Sequence, residues 1–389
     1  MGKSVYERIV NLPSPIAKAI IDISDFMKTP KLCLENRKQI RQFFRCKETL
    51  TTVGTEAMTS QDRRAWEKGL LYYAISSPRA ARKIADNLCN STLSCLKEKR
   101  LSDSGAPVFL CVVKNDLERI KLSYEHHKSI GVTDFVYIDN GSTDGTLEWL
   151  LSQEVSVYQT FDPFIMWAKV AWVSKVISHL GFDRWYLILD SDELFAYPGC
   201  EEHPITEYVA FLEKQSITRA ESFMLDMYSK EELFQGAKDA AGIKEQNRYF
   251  DTDSYQQKYC LHYKKILGGP RERIFGNPKS VEMLQNKYAL VFYRRGDIYR
   301  YHYVSPYLDN FRTECNSALL HYKFVGGDYE KYVAIANNGN YANGSQLYKD
   351  IVRVVEEKEK KLRFYGVHSA EYENSESLLK HPFIRDWRA

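Results

Sequence analysis

Residues 108–146, VFLCVVKNDLERIKLSYEHHKSIGVTDFVYIDNGSTDGT, decide the fold, together with RWYLILDSDELF at 184–195. VFLCVV (108–113) is a continuous apolar run of the kind a strand buried on both faces shows. It stops at Lys114-Asn115, and Leu117, Ile120 and Tyr124 then recur on one face of a helix expected over 116–130. Asn115 and Glu118 stand at capping-box spacing. DFVYID (134–139) is the next strand, closed by the turn Asn140-Gly141-Ser142-Thr143-Asp144-Gly145. A helix is expected from Thr146, a short strand at 155–159 and a long helix over 163–180. RWYLIL (184–189) is a third buried strand, running directly into Asp190-Ser191-Asp192-Glu193.

Strand alternating with helix predicts an α/β fold whose sheet is mixed but mainly parallel, Rossmann-like, with flanking helices and right-handed crossovers. Ligands of such sheets bind outside the carboxyl ends of the strands. The three polar clusters, at 114–116, 139–145 and 190–193, all fall at those ends.

Working outward, residues 1–100 read as helical and basic, broken at Pro13, Pro15, Pro30 and Pro78, and LSDSGAP (101–107) reads as a boundary. Beyond 196 a helix (204–214) and strands (222–228, 288–293, 298–304) predict antiparallel additions to the sheet. Residues 328–365 read as helical, with a charged run at Glu356–Lys361. The expected organisation is a helical N-terminal region (1–105), a catalytic domain (106–330) and a C-terminal helical extension (331–389).

Of 389 residues, 44% are hydrophobic and 27% charged, which excludes wholesale disorder. The net charge of +3 gives no reason to propose nucleic acid as a partner. Residues 1–106 nevertheless hold 19 Lys and Arg against 11 Asp and Glu, a balance suited to peripheral contact with an anionic membrane surface. No apolar run has the ~18–20 residues needed to span a bilayer. The eight cysteines contain no C-x-x-C pair, so neither a zinc site nor a disulfide framework is indicated. The chain is read as cytoplasmic, at most peripheral at the inner face of the membrane.

Two carboxylates at i and i+2 after a strand can hold a hard divalent cation, which in turn clamps a diphosphate. Asp190 and Asp192 have such a strand before them; Asp251 and Asp253, the same spacing in a polar stretch, do not. In the 139–145 turn Asp139 offers a carboxylate at a strand end, and Gly141 and Gly145 permit close approach of the backbone. An EF-hand reading fails because Gly141 stands where an oxygen ligand is required.

These motifs, VVKNDLERIKLSYEHHKSIGVTDFVYIDNGSTDGT and then WYLILDSDELF, resemble the nucleotide-binding half of a family 2 glycosyltransferase. They are similar, more narrowly, to a bacterial branch with a D-N-G-S-x-D-G-T turn and a D-x-D-E motif. The likeness covers residues 108–196; GGPRERIF (268–275), the 300–304 region and ALLHYKF (318–324) follow it more loosely. Asp116 departs from the branch, where Glu is usual. The resemblance implies a GT-A fold, Mn²⁺ or Mg²⁺, and a nucleotide-diphospho-sugar donor, a UDP-sugar by expectation. A saccharide or lipid-linked acceptor follows, as in bacterial surface polysaccharide synthesis. It assigns Lys114, Asn115, Asp116, Asp139 and Asp144 to the nucleoside, and Asp190 and Asp192 to ribose and metal.

An inverting displacement needs a base on the acceptor and neutralisation of the leaving diphosphate. Arg271 and Arg273 have forked donors suited to phosphate oxygens, and Glu272 is the first candidate base, with Asp226 and Glu193 behind it. His302 and His321 are candidate further metal ligands, while Trp167 and Trp172 are expected to pack. Two other readings remain open at this point. One is a haloacid-dehalogenase-like phosphatase, disfavoured because Leu194 stands where Thr or Val is wanted. The other is a non-catalytic scaffold of the same fold, which would not need three acidic clusters at one sheet edge.

Overall fold

The computed structural model describes residues 61, 64–65, 67–71, 78–259, 264–276, 283–305, 314–339 and 342–389. The helical expectation for residues 1–60 lies outside them.

The described chain opens with α1 (Pro78–Asn90) and β1 (Ser94–Lys97), then alternates through β2 (Val108–Val113), α2 (Leu117–Ser129), β3 (Phe135–Asp139), α3 (Thr146–Ser152), β4 (Ser156–Gln159), α4 (Met166–Leu180) and β5 (Arg184–Asp190). Next come β6 (Glu193–Ala196), α5 (Ile205–Lys214), β7 (Arg219–Asp226), α6 (Ala240–Gln246), β8 (Tyr249–Asp251), β9 (Tyr255–Tyr259), β10 (Lys264–Gly268) and α7 (Gly269–Phe275). The rest is β11 (Asn286–Tyr293), β12 (Ile298–Arg300), β13 (Tyr303–Ser305), β14 (Cys315–His321), α8 (Asp328–Asn338), α9 (Ala342–Glu357) and β15 (Ser369–Glu371), with a 3₁₀ turn at Ser375–Lys380.

A nine-stranded sheet in the order β1-β4-β3-β2-β5-β11-β7-β14-β6 forms the middle layer. β2 to β5 run together in parallel, and β7 and β14 share their direction; β1, β11 and β6 run against them. The protein is thus mixed α/β with a mostly parallel, Rossmann-like sheet and flanking helices. Alternation along β2 shows why both faces need helices: Phe109, Cys111 and Val113 enter one core with α2 and α5, while Val108, Leu110 and Val112 enter the other with α1 and α4. Trp172 is fully buried in the second core and Trp167 packs partly against it. A third, aromatic cluster joins Phe234, Phe324, Tyr332 and Phe364 with Ile351 and Val355 of α9.

Several local expectations change. Residues 94–97 form an edge strand, bulged between Cys95 and Lys97, where a helix is expected. α1 packs on α4, so the described residues upstream of 106 share the layers of the sheet. The 298–304 strand is a hairpin turning at Tyr301, whose φ is +66°. The helical stretch from 328 ends at Glu357, and Glu359 and Lys360 take positive φ. β15 pairs with β8, which ties the C-terminal residues to the middle of the chain. Among the described residues no helix is long and apolar enough to cross a membrane.

Candidate active site

Register brings the strand ends level. Val113 pairs with Asp139 and Val112 with Asp190, while Glu193, His321 and Asp226 stand in one row across β6, β14 and β7. Residues separated by more than 100 positions therefore meet at one edge, around a cavity of about 340 Å³. Its lining includes Lys114, Asp116, Asp190, Asp192, Glu193, Arg271, His302 and His321. Asn115, Asp139, Asp144, Glu272 and Arg273 stand outside the lining.

The first two loops are stitched to each other. Asn115 adopts φ +50° and accepts a hydrogen bond from the Thr143 amide at 2.7 Å, so the expected capping box is absent and Asp116 is the N-cap of α2. Asp139, fully buried, accepts from the Gly141 and Ser142 amides at 3.0 and 3.1 Å and from Gln159 Nε2 at 3.2 Å. Asp144 accepts from the Leu117 amide at 3.3 Å and the Thr146 amide at 3.0 Å. These two carboxylates, expected on the nucleoside, hold the loops together and stand outside the cavity lining. Gly141 (φ +69°) lies under the Phe161 ring, which a β-carbon there would meet at 3.0 Å.

The third loop is a charge network. Asp190, its side chain one-fifth exposed (20%), is ion-paired with Lys169, stands 3.6 Å from Lys287 Nζ, and accepts from the Tyr301 hydroxyl at 3.2 Å. Burial alone would raise its pKa, but the two lysines overcome this and hold it far below the ordinary carboxylate range. Lys287 also donates to Glu193 at 2.6 Å, and burial keeps that second carboxyl above its ordinary value. Asp190 is thus a carboxylate already paired with two ammonium groups.

Asp192 is placed differently. Its Oδ2 lies 3.3 Å from His321 Nε2, and His321 Nδ1 lies 2.7 Å from Asp226 Oδ1. Burial would depress the imidazole, but the Asp192 and Asp226 carboxylates hold it above the ordinary histidine range. Asp226 is in turn fixed by Arg271 Nε at 2.7 Å, and Arg271 continues to Gln285 Oε1 at 3.2 Å. Arg271 therefore lines the cavity already committed to a carboxylate. Arg273 pairs with Asp251 at 3.0 Å and with the Phe364 carbonyl at 2.7 Å, facing away from the cavity. His302 lines the cavity, but its Nδ1 lies 3.0 Å from the Asn286 carbonyl, and burial holds it neutral with a pKa lowered to about 4.

The sequence pattern did not single out Lys169, Lys287 or Lys323. Lys169 sits in the apolar face of α4, where a lysine among Ala168, Val170, Ala171 and Trp172 was the available signal. Lys323, two residues beyond His321, lies between the rings of Tyr332 and Tyr348, 5.9 and 5.5 Å from their centres. Burial opposes its charge, yet Tyr348 and Asp192 hold its pKa above the ordinary lysine value. Among the described residues no carboxylate comes within ion-pair distance of Lys323 or Lys114. Every carboxylate of the lining has a cationic partner: Asp116 and Asp328 on Arg119, Asp190 and Glu193 on lysines, and Asp192 on His321.

Among the described residues no group of three or more His, Cys, Asp and Glu is arranged to hold a metal ion. Asp192 offers carboxylate oxygens, and His321 would offer Nε2 as a second donor once a cation displaces the proton that the two carboxylates favour. Such a pair fits a hard cation that takes its remaining ligands from a diphosphate and water, and does not form a cage for a cation alone. Compared with known protein families and with curated proteins, the chain finds no match.

Proposed function

We propose that this chain is an inverting, metal-dependent glycosyltransferase of GT-A fold, resembling family 2. It moves a sugar from a nucleotide-diphospho-sugar, a UDP-sugar by expectation, to a saccharide or glycolipid acceptor in the cytoplasm. The observation that carries the reading is the Asp190-Ser191-Asp192 turn at the carboxyl end of a central parallel strand. There Asp192 faces a cavity beside His321 and Lys323, a lysine with no carboxylate within ion-pair distance among the described residues. A Mn²⁺ or Mg²⁺ ion held by Asp192 and His321 would neutralise charge on the leaving diphosphate.

The residues divide the remaining work. Asp226 orients His321 through Nδ1, the usual outer partner of a ligating histidine. Lys323 and Lys114 supply the positive charge for phosphate oxygens that Arg271 and Arg273, already paired, were expected to give. Lys169 and Lys287 keep Asp190 ionised and oriented as a hydrogen-bond acceptor, suited to a ribose hydroxyl. Glu272 stands outside the lining, so an acceptor base drawn from the lining must first shed its cation when the donor enters.

Asp192→Ala tests this directly. Titration with UDP in Mn²⁺ should show binding to the unaltered protein and a loss of at least ~100-fold in the variant, about 2.7 kcal/mol. Equal binding by both would remove the central claim.

A further inference from the structure

Eight large apolar side chains are exposed among the described residues, and three of them fall within six positions: Phe161 (79% exposed), Ile165 (39%) and Met166 (36%). Their segment borders the cavity, since Phe164 and Met166 line it. The segment that carries them is pinned. Asp162 accepts from the Thr92 amide at 2.8 Å and its hydroxyl at 3.1 Å, and from Trp172 Nε1 at 3.4 Å. Its carbonyl takes the Asn140 side chain at 2.9 Å. Phe161 is thus held outward on a fixed loop.

Next to this patch the surface is cationic. Trp167, adjoining Met166, has Lys83 Nζ at 5.8 Å and the Arg300 guanidinium at 5.5 Å from its ring. Lys83 belongs to α1, which buries Ala81, Ile84, Ala85 and Leu88 against α4 and exposes Arg79, Arg82 and Lys83. Arg79 and Lys83 share one face at i, i+4 spacing, with Arg82 beside them. Exposed Phe, Ile and Met flanked by a tryptophan and basic residues match the two demands of a lipid–water boundary: an apolar insert and cations for anionic headgroups.

We infer that the 161–166 loop and the basic face of α1 form a docking surface for an anionic lipid bilayer. Docking itself stands apart from the transferase reading. Its consequence rests on that reading: the cavity mouth would meet the membrane, so the acceptor would be lipid-linked and not a free saccharide.

The test is co-sedimentation of the full chain with vesicles of phosphatidylcholine alone or mixed with phosphatidylglycerol, with UDP–Mn²⁺ thermal shift measured in parallel. The mixed vesicles should retain the protein, less so in high salt. Phe161→Ser/Ile165→Ser and Arg79→Glu/Arg82→Glu/Lys83→Glu should each weaken retention roughly tenfold or more, with melting temperature and nucleotide shift unaltered. Equal retention of the variants would overturn the inference, as would failure of the mixed vesicles to retain the unaltered protein. A nucleotide shift missing from all proteins would count against the transferase alone.

Discussion

Lys323 follows β14 and Arg273 sits in α7 just after β10, and their surroundings assign them opposite duties. Lys323 stands between two tyrosine rings with no carboxylate in reach among the described residues; Arg273 neutralises the buried Asp251. Lys323→Met should lower donor turnover ~100- to 1,000-fold, the usual loss when one preorganised charge donor is removed, with a smaller effect on nucleotide affinity. Arg273→Met should lower the melting temperature while leaving nucleotide affinity and kcat nearly unaltered. Activity assays beside thermal melts separate the two, and a kcat collapse in Arg273→Met would restore the role its sequence setting implied. Nothing local marks the difference: both partners of Arg273 and both rings around Lys323 come from other elements.

At the scale of elements, His127 shows how α2 is fastened to the sheet. Its Nε2 accepts from the Phe195 amide at 3.0 Å and its Nδ1 lies 2.7 Å from the Ser123 carbonyl, an arrangement only the neutral tautomer satisfies. Full burial holds its pKa well below the ordinary histidine value. In the unfolded chain it titrates near ~6.5, so its contribution is complete above that pH and is lost as pH falls toward the folded value. His127→Gln should therefore be less stable at neutral pH. Its stability should also fall less steeply between about pH 6.5 and 4.5, by up to about 1.4 kcal/mol per unit. Identical slopes in chemical unfolding at several pH values would refute this.

The same scale explains what was legible beforehand. β2, β3 and β5 announce themselves because a strand buried on both faces must be apolar throughout, and the position of Asp190 and Asp192 follows from β5. The edge strand β1 has no such signal, since only Leu96 among Ser94, Cys95 and Lys97 is strongly apolar. The capping box at Asn115 fails because the Thr143 amide competes for the same side chain. Lys169, Lys287 and His321 reach the Asp190–Asp192 turn from 21, 97 and 129 or more residues away in sequence, so only the fold could place them there.

At the scale of the whole molecule, a transferase site here is built from three strand ends and completed by a nucleotide diphosphate and a divalent cation together. Neither component should bind well alone, because Asp192 and His321 make an incomplete cation site, and Lys114 and Lys323 alone leave part of a diphosphate's charge unneutralised. The most direct measurement is thermal unfolding with UDP, GDP, CMP and ADP, each with Mn²⁺ and with EDTA. A ligand bound only by the native state stabilises by RT ln(1 + [L]/Kd), about 2.7 kcal/mol at ~100-fold saturation. Tm should rise with UDP and Mn²⁺ together, the rise should disappear in EDTA, and Mn²⁺ alone should give none. No rise with any nucleotide, or one indifferent to EDTA, would contradict the transferase reading.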